Sequence, residues 1–225
     1  TRISTRTDLG ADAQVDAKGL VFVPTDPALT DPFLTLVDDS MSEPGFDWHP
    51  HRGLQTVTTV LEGVLEHGDS LGHTGTLTTG EVQWMTAGRG IIHREMAYRN
   101  ERAHVLQMWL NVPAENKMDA PQYQDLLSTE MARIREPGLT VDVHVGTVNG
   151  VHGTAQAYTP VNGAVATLDP AVTWTVEVPA DHRLFAHVLT GNLDIGGDRL
   201  RAGQIGWSDP RPGATTTTLT VTALD

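Results

Sequence analysis

The chain contains no cysteine. That excludes disulfide staples, thiolate metal sites and thiol catalysis together, and it suits a reducing cytoplasm, the compartment expected here. Basic residues are scarce. Fifteen Lys and Arg stand against 28 Asp and Glu, for a net charge of −13, and lysine occurs only at Lys18 and Lys117. No cluster of Lys and Arg overrides that average, so phosphate backbones are repelled and direct nucleic-acid binding is not expected. Long apolar runs are missing as well. None approaches the ~20 residues of a membrane helix, and the segment from Thr1 to Gly19 has no apolar core of signal-peptide length. A soluble protein with no membrane partner is the expectation.

What is present is a dense succession of short apolar runs. A chain of 225 residues is one large all-β domain or two small ones, and at this length roughly 70% of the unfolded surface can be buried without staples. Leu20–Val23, Phe33–Val37, Thr56–Leu61, Val82–Met85, Val105–Val112, Thr140–Val145, Trp174–Val178, Leu184–Leu189 and Thr218–Val221 read as strands. Glu62-Gly63, His67-Gly68-Asp69, Gly88-Arg89-Gly90, Thr190-Gly191-Asn192 and Gly196-Gly197-Asp198 read as turns between them. Such a pattern points to a sandwich or barrel rather than to βαβ units. A single short helix is expected within Pro121–Arg133, Pro121 suiting a first helical position. The connection between the two strand-rich halves is placed around residues 113–137, with the halves taken as 1–120 and 121–225.

An internal repeat points to two copies of one barrel. Val60-Leu61-Glu62-Gly63-Val64-Leu65-Glu66 returns as Val188-Leu189-Thr190-Gly191-Asn192-Leu193-Asp194, and Gly80-Glu81-Val82-Gln83-Trp84 returns as Gly203-Gln204-Ile205-Gly206-Trp207. Units this long are not solenoid repeats. The copies differ in one respect. Carried along with the repeat, positions 49 and 51 fall on Glu177 and Pro179, and positions 93 and 95 fall in the Thr215–Thr218 run. The second copy keeps the scaffold and lacks the histidines.

Those histidines form two clusters, His49-Pro50-His51 and His93-Arg94-Glu95. Residues two apart on a strand face the same way, so each cluster offers two ligands on one face. If neighbouring barrel strands carry them, three imidazoles and one carboxylate converge inside the barrel, a set that binds a divalent first-row metal at ~2.0–2.2 Å. One carboxylate leaves such an ion with a charge of about +1, which favours an anionic or chelating ligand at an open position. Gly53, Gly88 and Gly90 flank the clusters and leave room for a mouth. The other histidines, His67, His73, His104, His144, His152, His182 and His187, have no partner at ligand spacing and are expected to be surface or hydrogen-bonded structural residues. With no sulfur in the set, iron, nickel, manganese, cobalt, copper and zinc all suit it.

The run His49-Pro50-His51-Arg52-Gly53-Leu54-Gln55-Thr56-Val57-Thr58 resembles the first motif of pirins and bacterial pirin-like proteins. Gly72-His73-Thr74-Gly75 and the run from Gln83 to Met96 resemble the second, with weaker similarity in Asp31–Leu34, Gln107–Pro113 and Pro121–Gln124. The resemblance covers residues 31–127 closely and the C-terminal half in outline. It implies an all-β bicupin, two tandem jelly-roll barrels of the cupin superfamily, with non-haem iron, Fe(II), held by His49, His51, His93 and Glu95. At the fourth position after the second histidine the family usually has Glu, where this chain has Gln55. Gln55 shares numerical parity with His49 and His51, so it is expected to face the barrel interior, where an amide can orient a bound group without acting as a base.

Two functions follow from the resemblance, and a third reading stands beside them. The first is that of the pirin-like quercetinases, which cleave a flavonol with dioxygen and release carbon monoxide; Glu95 is then the candidate base. The second is that of an iron-dependent, redox-sensing regulator acting through protein partners. The third is a metabolic regulator that binds an enzyme subunit, with the metal structural.

Overall fold

The structure, a computed structural model, describes residues 2–42, 45–211 and 213–225, with Asn100 described by its backbone alone. The chain is all-β. Among the described residues the helical pieces are the single turn Pro27–Thr30, where the Asp26 carboxylate accepts from the Ala28 N–H, and the 3₁₀ turns Tyr98–Asn100 and Ala114–Asn116. No helix among them is long and apolar enough to cross a membrane. Every apolar run read as a strand overlaps one, although Val23 and Val112 fall just outside and Leu184–Leu189 contributes only Phe185–His187.

The helix expected within Pro121–Arg133 does not form. Gln122–Leu126 and Ala132–Glu136 are strands instead. Gln122–Leu126 pairs along its whole length with Val82–Thr86, and this ladder outweighs the weak local preference that a single proline expresses. The strand therefore belongs with the N-terminal half. Two compact units result: Thr7–Glu130 with Ala157–Pro160, and Thr1–Arg6 with Met131–Gln156 and Val161–Asp225.

Two of the expected turns are not turns either. Glu62-Gly63 and His67-Gly68-Asp69 lie inside one strand, Leu54–Asp69. Opposite Ala103–Asn111 the register runs Val105↔Val60, then His104↔Glu62, which leaves Leu61 as the extra residue of a bulge. Gly63 takes φ +87°, and a Cβ there would lie 1.8 Å from the Arg102 carbonyl oxygen. Only glycine fits. At the bulge the strand changes partners: its first half pairs with Val82–Thr86, its second with Thr74–Thr78 and Ile91–Ala97. Past the bulge, Met41, Val60, Leu65, Leu77, Ala97 and Val105 pack as an apolar core, the Met, Val and Leu side chains each worth about 1.5–3 kcal/mol if fully buried.

In the second unit, Leu139, Val141 and Val143 form one core cluster, and Val188, Leu200 and Val221 another. The sequence repeat is a structural repeat. Gly80 N–H donates to Val60 O, and Val60 N–H donates to Glu81 O. In the second copy Gly203 N–H donates to Val188 O, and Val188 N–H donates to Gln204 O.

Candidate metal centre

The strand Phe46–His51 pairs antiparallel with Ile91–Ala97, in the register His49↔His93 and Pro50↔Ile92. That pairing puts His49 and His51 on the same face as His93. The ring centroids of His49 and His93 are 4.5 Å apart, and those of His51 and His93 are 4.9 Å apart. Ligand atoms of the three lie within 4.8 Å of one another, and no other group of this kind occurs among the described residues.

The protonation states suit a cation. His49 Nδ1 donates to the Asp47 carbonyl oxygen at 2.7 Å, which leaves Nε2 as the ring nitrogen available to a metal. Burial pushes the His51 pKa down to about 4, with the His93 and His49 charges acting the same way and Glu95 opposing them. Burial likewise lowers His93, against an opposing pull from Glu95. Both are neutral at pH 7. His51 Nε2 and both ring nitrogens of His93 are buried without a hydrogen-bond partner. Buried polar atoms rarely remain unsatisfied, so these lone pairs fit a metal ion well.

Glu95 is buried nearby but does not join the group lying within 4.8 Å. Its Oε1 accepts from Thr58 Oγ1 at 2.8 Å and its Oε2 from Gln107 Nε2 at 2.6 Å. Each oxygen keeps lone-pair capacity for a further partner. A depression of about 470 Å³ lies at the end of this strand pair, lined by Pro50, His51, Arg52, Ser70, Ile91 and Ile92; of the three histidines only His51 reaches it. Trp109 stands edge-on to His51 at 5.0 Å.

Gln55 does not face this site. Between Gln55 and Thr58 the strand is unbulged against Val82–Thr86, so side chains three apart point to opposite faces. Thr58 points at Glu95; Gln55 points away and donates to Thr86 Oγ1 at 2.9 Å. Arg52-Gly53 separates the strand of His49 and His51 from that of Gln55, so numerical parity does not carry across.

His67 also departs from expectation. It is buried, lies opposite Glu95 in register, and has no hydrogen-bond partner at either ring nitrogen. Its ring covers Gly75, where a Cβ would come within 2.5 Å of Nε2. His73 behaves as expected: its Nδ1 bonds the Asp69 carboxylate, which also accepts from the Leu71 and His73 N–H groups and fixes the turn. Thr58, Gln107 and Trp109 were not singled out by sequence reasoning. The available signal was a polar Gln107 two residues before Trp109, within the apolar stretch Val105–Leu110.

A family model described as Pirin matches residues 12–110. Human Pirin is 41% identical over 170 residues, covering 75% of this chain and 59% of the human protein, so the match spans about three fifths of that relative's length. Among solved structures, GK1651 from Geobacillus kaustophilus is 36% identical with a TM-score of 0.93, over 100% of this chain and 90% of that one. A quercetin 2,3-dioxygenase from Acinetobacter baumannii is 26% identical with a TM-score of 0.84, over 100% of this chain and 86% of that one.

Proposed function

The chain belongs to the pirin family and is a bicupin, and from that premise we propose that it is a metal-dependent dioxygenase of quercetinase type. The substrate would be a flavonol or a similar enolisable hydroxy-ketone, with dioxygen as co-substrate. His49, His51, His93 and Glu95 are the proposed ligands. Iron(II) is the proposed metal, on the family resemblance; the sulfur-free donor set equally accommodates nickel, manganese, cobalt, copper or zinc.

One observation carries this reading: three imidazoles converge within 4.8 Å of one another, and one of them, His51, borders an open depression. A buried structural site would be closed, whereas a catalytic one keeps an open position. When bound, the metal polarises the enolisable hydroxyl and supports dioxygen chemistry. The chain's own residues do the rest. Pro50, Ile91 and Ile92 give the depression apolar walls for a flat ring, while Arg52 and Ser70 offer donors to substrate oxygens. Glu95 is the proposed base for the flavonol proton, held in place by Thr58 and Gln107.

The test is oxygen-electrode uptake and carbon monoxide release by iron(II)-loaded protein with quercetin. Uptake that requires both metal and flavonol is expected. Full iron occupancy with no uptake above free iron would overturn the enzymatic reading. The regulatory reading then takes its place, and one observation favours it. Trp48, Leu71 and Ile92 are all exposed, and Ile92 lines the depression itself. Apolar groups beside a metal site suit a docked protein partner.

A further inference from the structure

The Glu95 carboxylate is held by a hydrogen-bond chain that returns to the wall of the metal centre. Trp109 Nε1 donates to Gln107 Oε1 at 3.2 Å. Gln107 Nε2 donates to Glu95 Oε2 at 2.6 Å and to Thr58 Oγ1 at 3.2 Å. Thr58 Oγ1 in turn donates to Glu95 Oε1 at 2.8 Å.

Chemistry fixes the direction of every bond. An indole N–H can only donate, so the Gln107 carbonyl oxygen must face Trp109. The amide nitrogen is thereby turned toward Glu95. Because the same nitrogen also points at Thr58 Oγ1, the threonine's own proton is left for Glu95. Thr58, Gln107 and Glu95 are all buried, so water does not substitute freely for any of these partners.

Glu95 has a rival neighbour. His67 lies directly opposite in register, and both its ring nitrogens lack a partner. A carboxylate free to rotate would find a hydrogen-bond donor there. Thr58 and Gln107 occupy both of its oxygens instead.

We propose that Gln107 is a positioning residue for Glu95, that Trp109 sets the orientation of the Gln107 amide, and that this chain holds the carboxylate for the metal rather than for His67. The inference rests on the reading of Glu95 as the fourth ligand. It does not depend on dioxygenase activity, because its readout is metal binding.

The experiment uses cobalt(II) as probe, with affinity from chelator competition and coordination from the visible absorption spectrum. Gln107→Leu is expected to weaken cobalt about 10–100-fold, the usual cost of losing a partner that orients a ligand, and to shift the spectrum. Trp109→Phe keeps a ring against His51 but removes the N–H. It should weaken cobalt about fivefold, as for one net hydrogen bond. Combined, the two substitutions should cost no more than Gln107→Leu alone, because Trp109 acts through Gln107. A purely structural role would lower the melting temperature of the metal-free protein and leave affinity and spectrum alone. If Gln107→Leu fails to fold, Trp109→Phe reads the same chain, and an unchanged cobalt affinity and spectrum in it overturns the proposal. The control is Glu95→Gln. If it alters cobalt binding while Gln107→Leu does not, the positioning role is wrong; if it alters nothing, the ligand assignment falls and the proposal with it.

Discussion

At the scale of single residues, the property that matters most in a buried histidine here is its lack of charge. His144, in the second unit, shows the consequence away from any metal. Burial pushes its pKa down to about 4, with Asp142 opposing. A histidine depressed in the folded state takes up a proton on unfolding once the pH drops below about 6.5. Its contribution to stability is therefore present above that pH and is lost as the pH falls toward 4. The full effect is on the order of 3 kcal/mol. Denaturant unfolding at pH 7, 5.5 and 4 should show a steep loss in the parent and a shallower one in His144→Gln; equal slopes would contradict the assignment. Gln55 yields a second expectation. Because it faces Thr86 and not Glu95, Gln55→Glu should leave metal content and oxygen uptake within about twofold while costing about 1–3 kcal/mol for the buried charge and lost bond. Glu95→Gln should lower both metal content and uptake, so metal analysis beside the oxygen electrode separates the two. The histidine pairs were legible in the sequence because period-two spacing is a local signal. Gln55 was misread because the Arg52-Gly53 break interrupts the count, and His67 because a lone histidine carries no spacing at all.

At the scale of elements, glycine marked the right places and gave the wrong geometry. Gly63 and Gly80 have nearly the same dihedral, φ +87° and +84°. One sits at a bulge against the Arg102 backbone, the other in open space. Gly63 read as a turn signal, since a sequence shows that φ is free but not whether a strand lies alongside. The difference is measurable. Gly80→Ala should cost about 1 kcal/mol from the dihedral alone, and Gly63→Ala about 3 kcal/mol or more, because its Cβ would also displace a paired strand. Chemical denaturation showing the two equal would mean that the bulge can relax. The strand Gln122–Leu126 was illegible for a related reason. Its partner Val82–Thr86 lies far away in sequence, and only the ladder between them decides against a helix.

At the scale of the molecule, the duplicated scaffold carries its candidate metal ligands in one copy alone. Both copies keep the paired backbone bonds at Gly80 and Gly203, while the second has Glu177 and Pro179 where the repeat places His49 and His51. Scaffold and chemistry are separable, and the all-β architecture with its repeat could be read from sequence because glycine and hydrophobic spacing carry it. The chain buries extensive apolar cores in both units, so a metal is not needed to hold it folded. Metal analysis of the purified chain against the His49→Ala, His93→Ala double variant tests the central claim most directly. The account predicts one equivalent per chain in the parent and loss of it in the variant, with the far-ultraviolet circular dichroism of the two unchanged. Two equivalents in the parent, or a full equivalent retained by the variant, would contradict it.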